Sequence, residues 1–138
     1  MRVWLLGSGS NGNAVVVEHG STRVLIDAGF GPRTLCKRLA RARIAPQSIH
    51  ALILTHEHID HVRGARGLTR RFGWPVYATR GTHSALPGLA TCRREVVDTT
   101  TPAIIGDLLI EAWRISHDAT EPVAFFVTAM DTGERALV

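Results

Sequence analysis

Short apolar runs, bounded by glycine, proline or polar clusters, recur along the chain and predict alternating strands and helices. Residues 1–7, the β-branched stretch Asn13 to Glu18 and the segment Thr22 to Ile26 read as three successive strands. Gly31-Pro32 then opens a helix with proline at its first position. Leu35, Leu39 and Ala42 give this helix an apolar face, and Arg33, Lys37, Arg38 and Arg41 a basic one. Ala51-Leu52-Ile53-Leu54 is a fourth strand, and a second helix runs from Gly64 or Ala65 to Phe72. Pro75 to Thr79 and Arg94 to Asp98 follow as short strands, separated by a loop around Pro87-Gly88. Leu108 to Ile115, Val123 to Ala129 and Arg135 to Val138 close the pattern, the last two joined by a turn that contains Asp131. Strands interleaved with helices place the chain in the α/β (α+β) class.

Composition narrows this only a little. With 138 residues, 45% hydrophobic and 20% charged, the chain suits a single core and contains no repeat or low-complexity tract. No stretch approaches a membrane span, and the apolar run at the start is too short for a signal peptide, so a cytoplasmic protein is expected. Two cysteines, Cys36 and Cys92, are too few for a disulfide framework and read as reduced thiols. The net charge of +4 is a modest excess. Arg63, Arg66, Arg70, Arg71 and Arg80 nevertheless crowd one stretch, where they could steer a polyanion.

The chemistry is concentrated in Thr55-His56-Glu57-His58-Ile59-Asp60-His61, directly after the fourth strand. In an extended chain residues two apart share a side, so His56 and His58 can close on one ion. A turn after them would swing Asp60 and His61 toward a second position a few ångströms away. Imidazole and carboxylate donors suit zinc and similar divalent ions, and a catalytic site needs three or more of them, so distant residues must converge on this loop. The opening Gly7-x-Gly9-x-x-Gly12 matches a dinucleotide-binding spacing, but a strand follows it where that site requires a helix. His19, His50 and His83 read as surface residues of turns and loops, with His83 the nearest to the site.

The His-x-His-x-Asp-His pattern after an apolar strand resembles the signature of the metallo-β-lactamase superfamily. Gly7-Ser8-Gly9-Ser10-Asn11-Gly12-Asn13, Leu25-Ile26-Asp27-Ala28-Gly29 and Ser116-His117-Asp118-Ala119 further resemble its YycJ/WalJ-like branch of bacterial DNA exonucleases and phosphodiesterases. The resemblance implies an αββα sandwich, of which residues 1–138 would form a single incomplete domain: the first half and part of the second. An apolar sheet face would then lie uncovered and invite dimerisation. The resemblance also places His56, His58 and His117 on one metal and Asp60 and His61 on another. Asp60 would additionally orient the nucleophile, and Asp27 would brace the loop by hydrogen bonds.

Two divalent ions are therefore expected, zinc first, with manganese or iron as alternatives. The family's bridging aspartate and final histidine have no counterpart here, and Asp131, being a hairpin residue, does not replace the former. The second site is accordingly expected to be weak. The implied function is a metal-dependent hydrolase of phosphodiesters such as DNA. The alternatives are a catalytically inactive metal-binding fragment and a thioester or lactone hydrolase of the same superfamily.

Overall fold

The central strands form where the sequence is apolar on both faces. In the computed structural model, which describes residues 1–138, β3 (Thr22–Ile26) and β4 (Ala51–Ile53) are the middle of a six-stranded sheet, and Val24, Leu25, Ile26, Leu52 and Ile53 are fully buried. Continuous apolar runs of this kind suit parallel strands covered on both sides. The sheet follows chain order: β1 (Arg2–Gly7), β2 (Ala14–His19), β3, β4, β5 (Val76–Ala78), β6 (Arg94–Val96). The first three strands are antiparallel, and β3 to β6 are parallel.

The second sheet reads differently. β8 (Leu108–Arg114) and β9 (Val123–Ala129) alternate buried and less buried residues, as strands with one covered face do. With β7 (Ala103–Ile105) and β10 (Arg135–Leu137) they form an antiparallel sheet of order β10-β9-β8-β7.

Three layers result. Helices α1 (Pro32–Arg41) and α3 (Ala65–Phe72) lay Leu35, Leu39, Ala65 and Leu68 on one face of the first sheet, in a core shared with Val16, Leu25, Leu52 and Val76. The other face of that sheet packs against the second through Val17, Val24, Ile53, Ile110, Phe125 and Val127, with no helical residue in this core. Burying each such aliphatic side chain is worth about 1.5–3 kcal/mol. The outer face of the second sheet carries Ile104 and Trp113, both exposed, and no helix of the chain covers it.

Several details depart from the sequence reading. The strand expected over Arg94 to Asp98 ends at Val96, and β7 was not anticipated. Residues Arg80–Ala85, expected as loop, form α4, whose start is capped by the Thr79 hydroxyl accepting from the Thr82 amide. His83 rides on α4 and is buried, not a surface residue. Its Nε2 donates to the carbonyl of Glu95 at 2.9 Å. His19 ends β2 and pairs with Asp131 at 2.6 Å, so Asp131 belongs to the β9–β10 turn, far in role from the histidine cluster.

Candidate metal centre

β4 delivers the motif at the carboxyl end of a parallel strand, beneath which the backbone is anchored on both sides. The amide of Asn13 donates to the carbonyl of Asp60 at 2.8 Å, that of Ala28 to His61 at 2.7 Å, and that of Gly64 to Ala28 at 2.7 Å. The approach is so close that a Cβ on Gly29 would overlap the carbonyl oxygen of Asp60, and one on Gly64 that of Phe30. Glycine is required at both positions for packing, with no demand on φ.

His56, His58 and His117 converge, each offering one nitrogen, and these three atoms lie within 4.8 Å of one another. Their ring centroids are 4.7 to 4.9 Å apart. His56 and His58 follow the end of β4, and His117 stands on the loop that follows β8, so the cluster joins the two sheets. Asp60 and His61 lie on the short helix α2 (Ile59–Val62), with His61 Nε2 3.5 Å from Asp60 Oδ2. The rings of His56 and His61 are 4.0 Å apart, which puts this pair beside the cluster. The side-chain nitrogen of Asn13 lies between the two, 3.2 Å from Asp60 Oδ2 and 3.1 Å from His61 Nε2.

Asp27 sets the proton positions. It sits just past β3 with a φ of +60°, a strained backbone for a non-glycine residue that aspartate tolerates better than most. Its carboxylate can only accept, and it takes the Thr55 amide at 2.9 Å, the Thr55 hydroxyl at 2.8 Å and His61 Nδ1 at 2.6 Å. Having given its one proton to Asp27, the Thr55 hydroxyl can only accept from His56 Nδ1, 3.0 Å away. The proton of His56 is thereby fixed on Nδ1, and its Nε2 lone pair is buried with no partner. His58 shows the complementary tautomer: its Nε2 faces the carbonyl of Asp118 at 3.0 Å and must donate, which frees Nδ1.

An unpartnered imidazole lone pair, buried beside two further histidines, is costly unless a cation accepts it, so this donor set fits a divalent metal. Burial foremost, and then the neighbouring His61, push the His56 ring down to about 4, which keeps it neutral and able to ligate. Burial also acts to lower His61, but the hydrogen bond and charge of Asp27 outweigh it and hold that ring above its ordinary value.

Sequence reasoning missed two contributors. Glu57 points away from its histidine neighbours, as alternation in an extended segment demands, and its Oε1 accepts from the Thr120 amide at 2.7 Å and the Thr120 hydroxyl at 2.6 Å. Those bonds overcome the upward push of burial and keep Glu57 below the ordinary carboxylate value. They also strap the loop bearing His117 to the loop bearing His56 and His58. Asn13 is the other. The glycine-rich opening serves to place this residue, whose side chain and backbone both reach Asp60.

A cleft of about 270 Å³ opens beside the cluster, and Ser8, Asn13, Asp27, His56, His61 and Ile115 are among the residues that line it.

Comparison with known proteins agrees with this arrangement. The family model for the metallo-beta-lactamase superfamily matches residues 7–133. The chain is 30% identical over 143 residues to the exodeoxyribonuclease WalJ of Streptococcus pneumoniae, covering 94% of this chain and 53% of the relative. It is also 30% identical over 125 residues to the exodeoxyribonuclease YycJ of Bacillus anthracis, covering 88% of this chain and 47% of the relative. The chain thus spans about half the length of the curated relatives it matches. Among solved structures, a Cronobacter sakazakii metallo-β-lactamase superposes with a TM-score of 0.80 at 18% identity, covering 98% of this chain and 60% of that one, a likeness of fold. With its fold, its histidine cluster and the family match in agreement, the chain belongs to the metallo-beta-lactamase superfamily and, within it, to the WalJ/YycJ-like branch.

Proposed function

We propose that this chain carries the metal-binding half of a nuclease active site that hydrolyses phosphodiester bonds in DNA. One observation carries the reading: three histidine nitrogens within 4.8 Å of one another, the buried one held by Thr55 and Asp27 with its lone pair unpartnered. His56, His58 and His117 would hold one divalent ion, zinc being the first choice for an all-imidazole set. Asp60 and His61 would contribute to a second, weaker position. A metal bound there supplies Lewis acidity toward a phosphoryl oxygen and a lowered pKa for water.

The chain's own groups do the rest. Asp60, carried on α2, would orient the attacking water while it ligates the second ion. Asp27 keeps His61 and, through Thr55, His56 in the tautomers that face outward. DNA is the substrate class of the relatives WalJ and YycJ, and the basic charge of this chain suits it.

A second reading has support in Asn13. Its amide stands between Asp60 and His61, where a second cation would have to displace it, which favours a one-metal chain that binds metal without turnover. A substrate panel on metal-loaded protein separates the two. Release of nucleotides from single-stranded or 5′-phosphorylated DNA supports the nuclease. Preferential turnover of thioesters or lactones would overturn it, and tight metal binding with no turnover would establish the second reading.

A further inference from the structure

Positive charge is distributed very unevenly over the molecule. Residues 28–94 hold twelve lysines and arginines against two acids, Glu57 and Asp60, both in the metal loop. The remainder of the chain holds four against ten. The first of these segments supplies the helical layer, so the excess charge sits on one side of the fold. Within that layer a groove of about 530 Å³ runs between α3 and the segment 91–93. Arg66 and Arg70, one helical turn apart on α3, form one wall, and Arg93 and Thr91 the other. No acid lines it.

Arg66 and Arg70 take part in no ion pair, whereas Arg93 is bridged to Glu95 at 2.9 Å. Arg70 gains from the negative end of the α3 dipole, but Arg66, in its first turn, sits at the positive end. Two like charges at a four-residue spacing repel, and no acidic side chain pairs with either. The floor is closed: Trp74 is 3% exposed and donates to the carbonyl of Pro46, and Thr69 is buried with its hydroxyl on the carbonyl of Ala65. No aromatic face is open for a base to stack on.

From this groove we infer a second binding site, for the phosphodiester backbone of a polynucleotide strand, gripped by Arg66, Arg70 and Arg93 without regard to base. Guanidinium forks suit phosphate oxygens, and a wall of them with no base platform reads charge and spacing, not sequence. Gly73 and Trp74 lead into β5 and Arg93 into β6, so the groove lies at the amino ends of these parallel strands, whereas the metal motif follows the carboxyl end of β4, and α3 spans between them. The site rests on the nuclease reading above and deepens it: the strand being cut would be held along α3 as well as at the metal centre.

The test uses the full chain, a phosphorothioate-protected single-stranded DNA oligonucleotide, and fluorescence anisotropy across a salt series. In R66Q/R70Q, two lost phosphate contacts should make the plot of log affinity against log salt shallower by about 1.4 and weaken low-salt binding by about tenfold. Metal content and turnover of a small phosphodiester should be unchanged. The comparison variant is R33Q/K37Q on α1, which removes the same charge outside the groove and should lose far less. Equal losses in the two variants would mean diffuse attraction and overturn the groove, as would unaltered binding by R66Q/R70Q. In both cases DNA turnover by the parent chain would leave the nuclease reading standing. A parent chain with no affinity for DNA would end both.

Discussion

Asp27 gives the site its order at the scale of single residues, because one acceptor-only group decides where the protons of Thr55, His56 and His61 must lie. Replacing it by asparagine keeps its size but lets one end donate, which puts the wrong atom toward Thr55 or His61. Metal affinity of Asp27→Asn is expected to fall about 10–100-fold, measured by competition with a chromogenic chelator, while far-ultraviolet circular dichroism stays native. Unchanged affinity would show that the carboxylate does not govern the ligating tautomers. His83 gives a separate prediction, on stability. Burial is the main cause that holds its ring below the ordinary 6.5, against the smaller upward pull of its bond to Glu95. Its folded value is depressed, so the unfolded chain takes up the proton first. Its stabilising effect is complete above about 6.5 and is lost as pH falls through that value toward the folded one. Melting temperatures recorded from pH 7 down to 5 should fall less steeply in His83→Gln than in the parent, and equal slopes would contradict this.

Elements come together at the site through loops, not through the strands themselves. The Glu57–Thr120 strap joins the end of β4 to the loop after β8, so truncating Glu57 should free His117 without touching any ligating ring. Metal affinity of Glu57→Ala is expected to drop about tenfold or more while the melting temperature shifts only slightly, checked by isothermal titration and thermal denaturation. Local pattern carried most of the elements: apolar runs marked β1 to β4, β-branched in β2, and proline and apolar spacing marked α1. What stayed hidden was short or dependent on distant contacts. α4 has six residues and no apolar period, so its only local sign was the Thr79-x-x-Thr82 cap. β7 has three residues and exists because β8 pairs with it. At the site, His56 and His58 were legible from spacing and His117 only through family resemblance. The strap by Glu57 and the intrusion of Asn13 depend on partners 63 and 47 residues away, which no local pattern reveals.

Over the whole molecule, the two sheets divide the labour. The first sheet, helix-backed and mostly parallel, presents the motif at the end of β4, and the second brings His117 across to it. No helix of the chain is long and apolar enough to cross a membrane. Everything functional depends on the two sheets packing through Val24, Ile53, Ile110 and Phe125 so that rings from both meet. X-ray absorption at the metal edge of the zinc-loaded chain tests that meeting most directly. Three imidazole nitrogens are expected at about 2.0–2.1 Å, falling to two in His117→Ala. A coordination shell that is the same in parent and variant would contradict it.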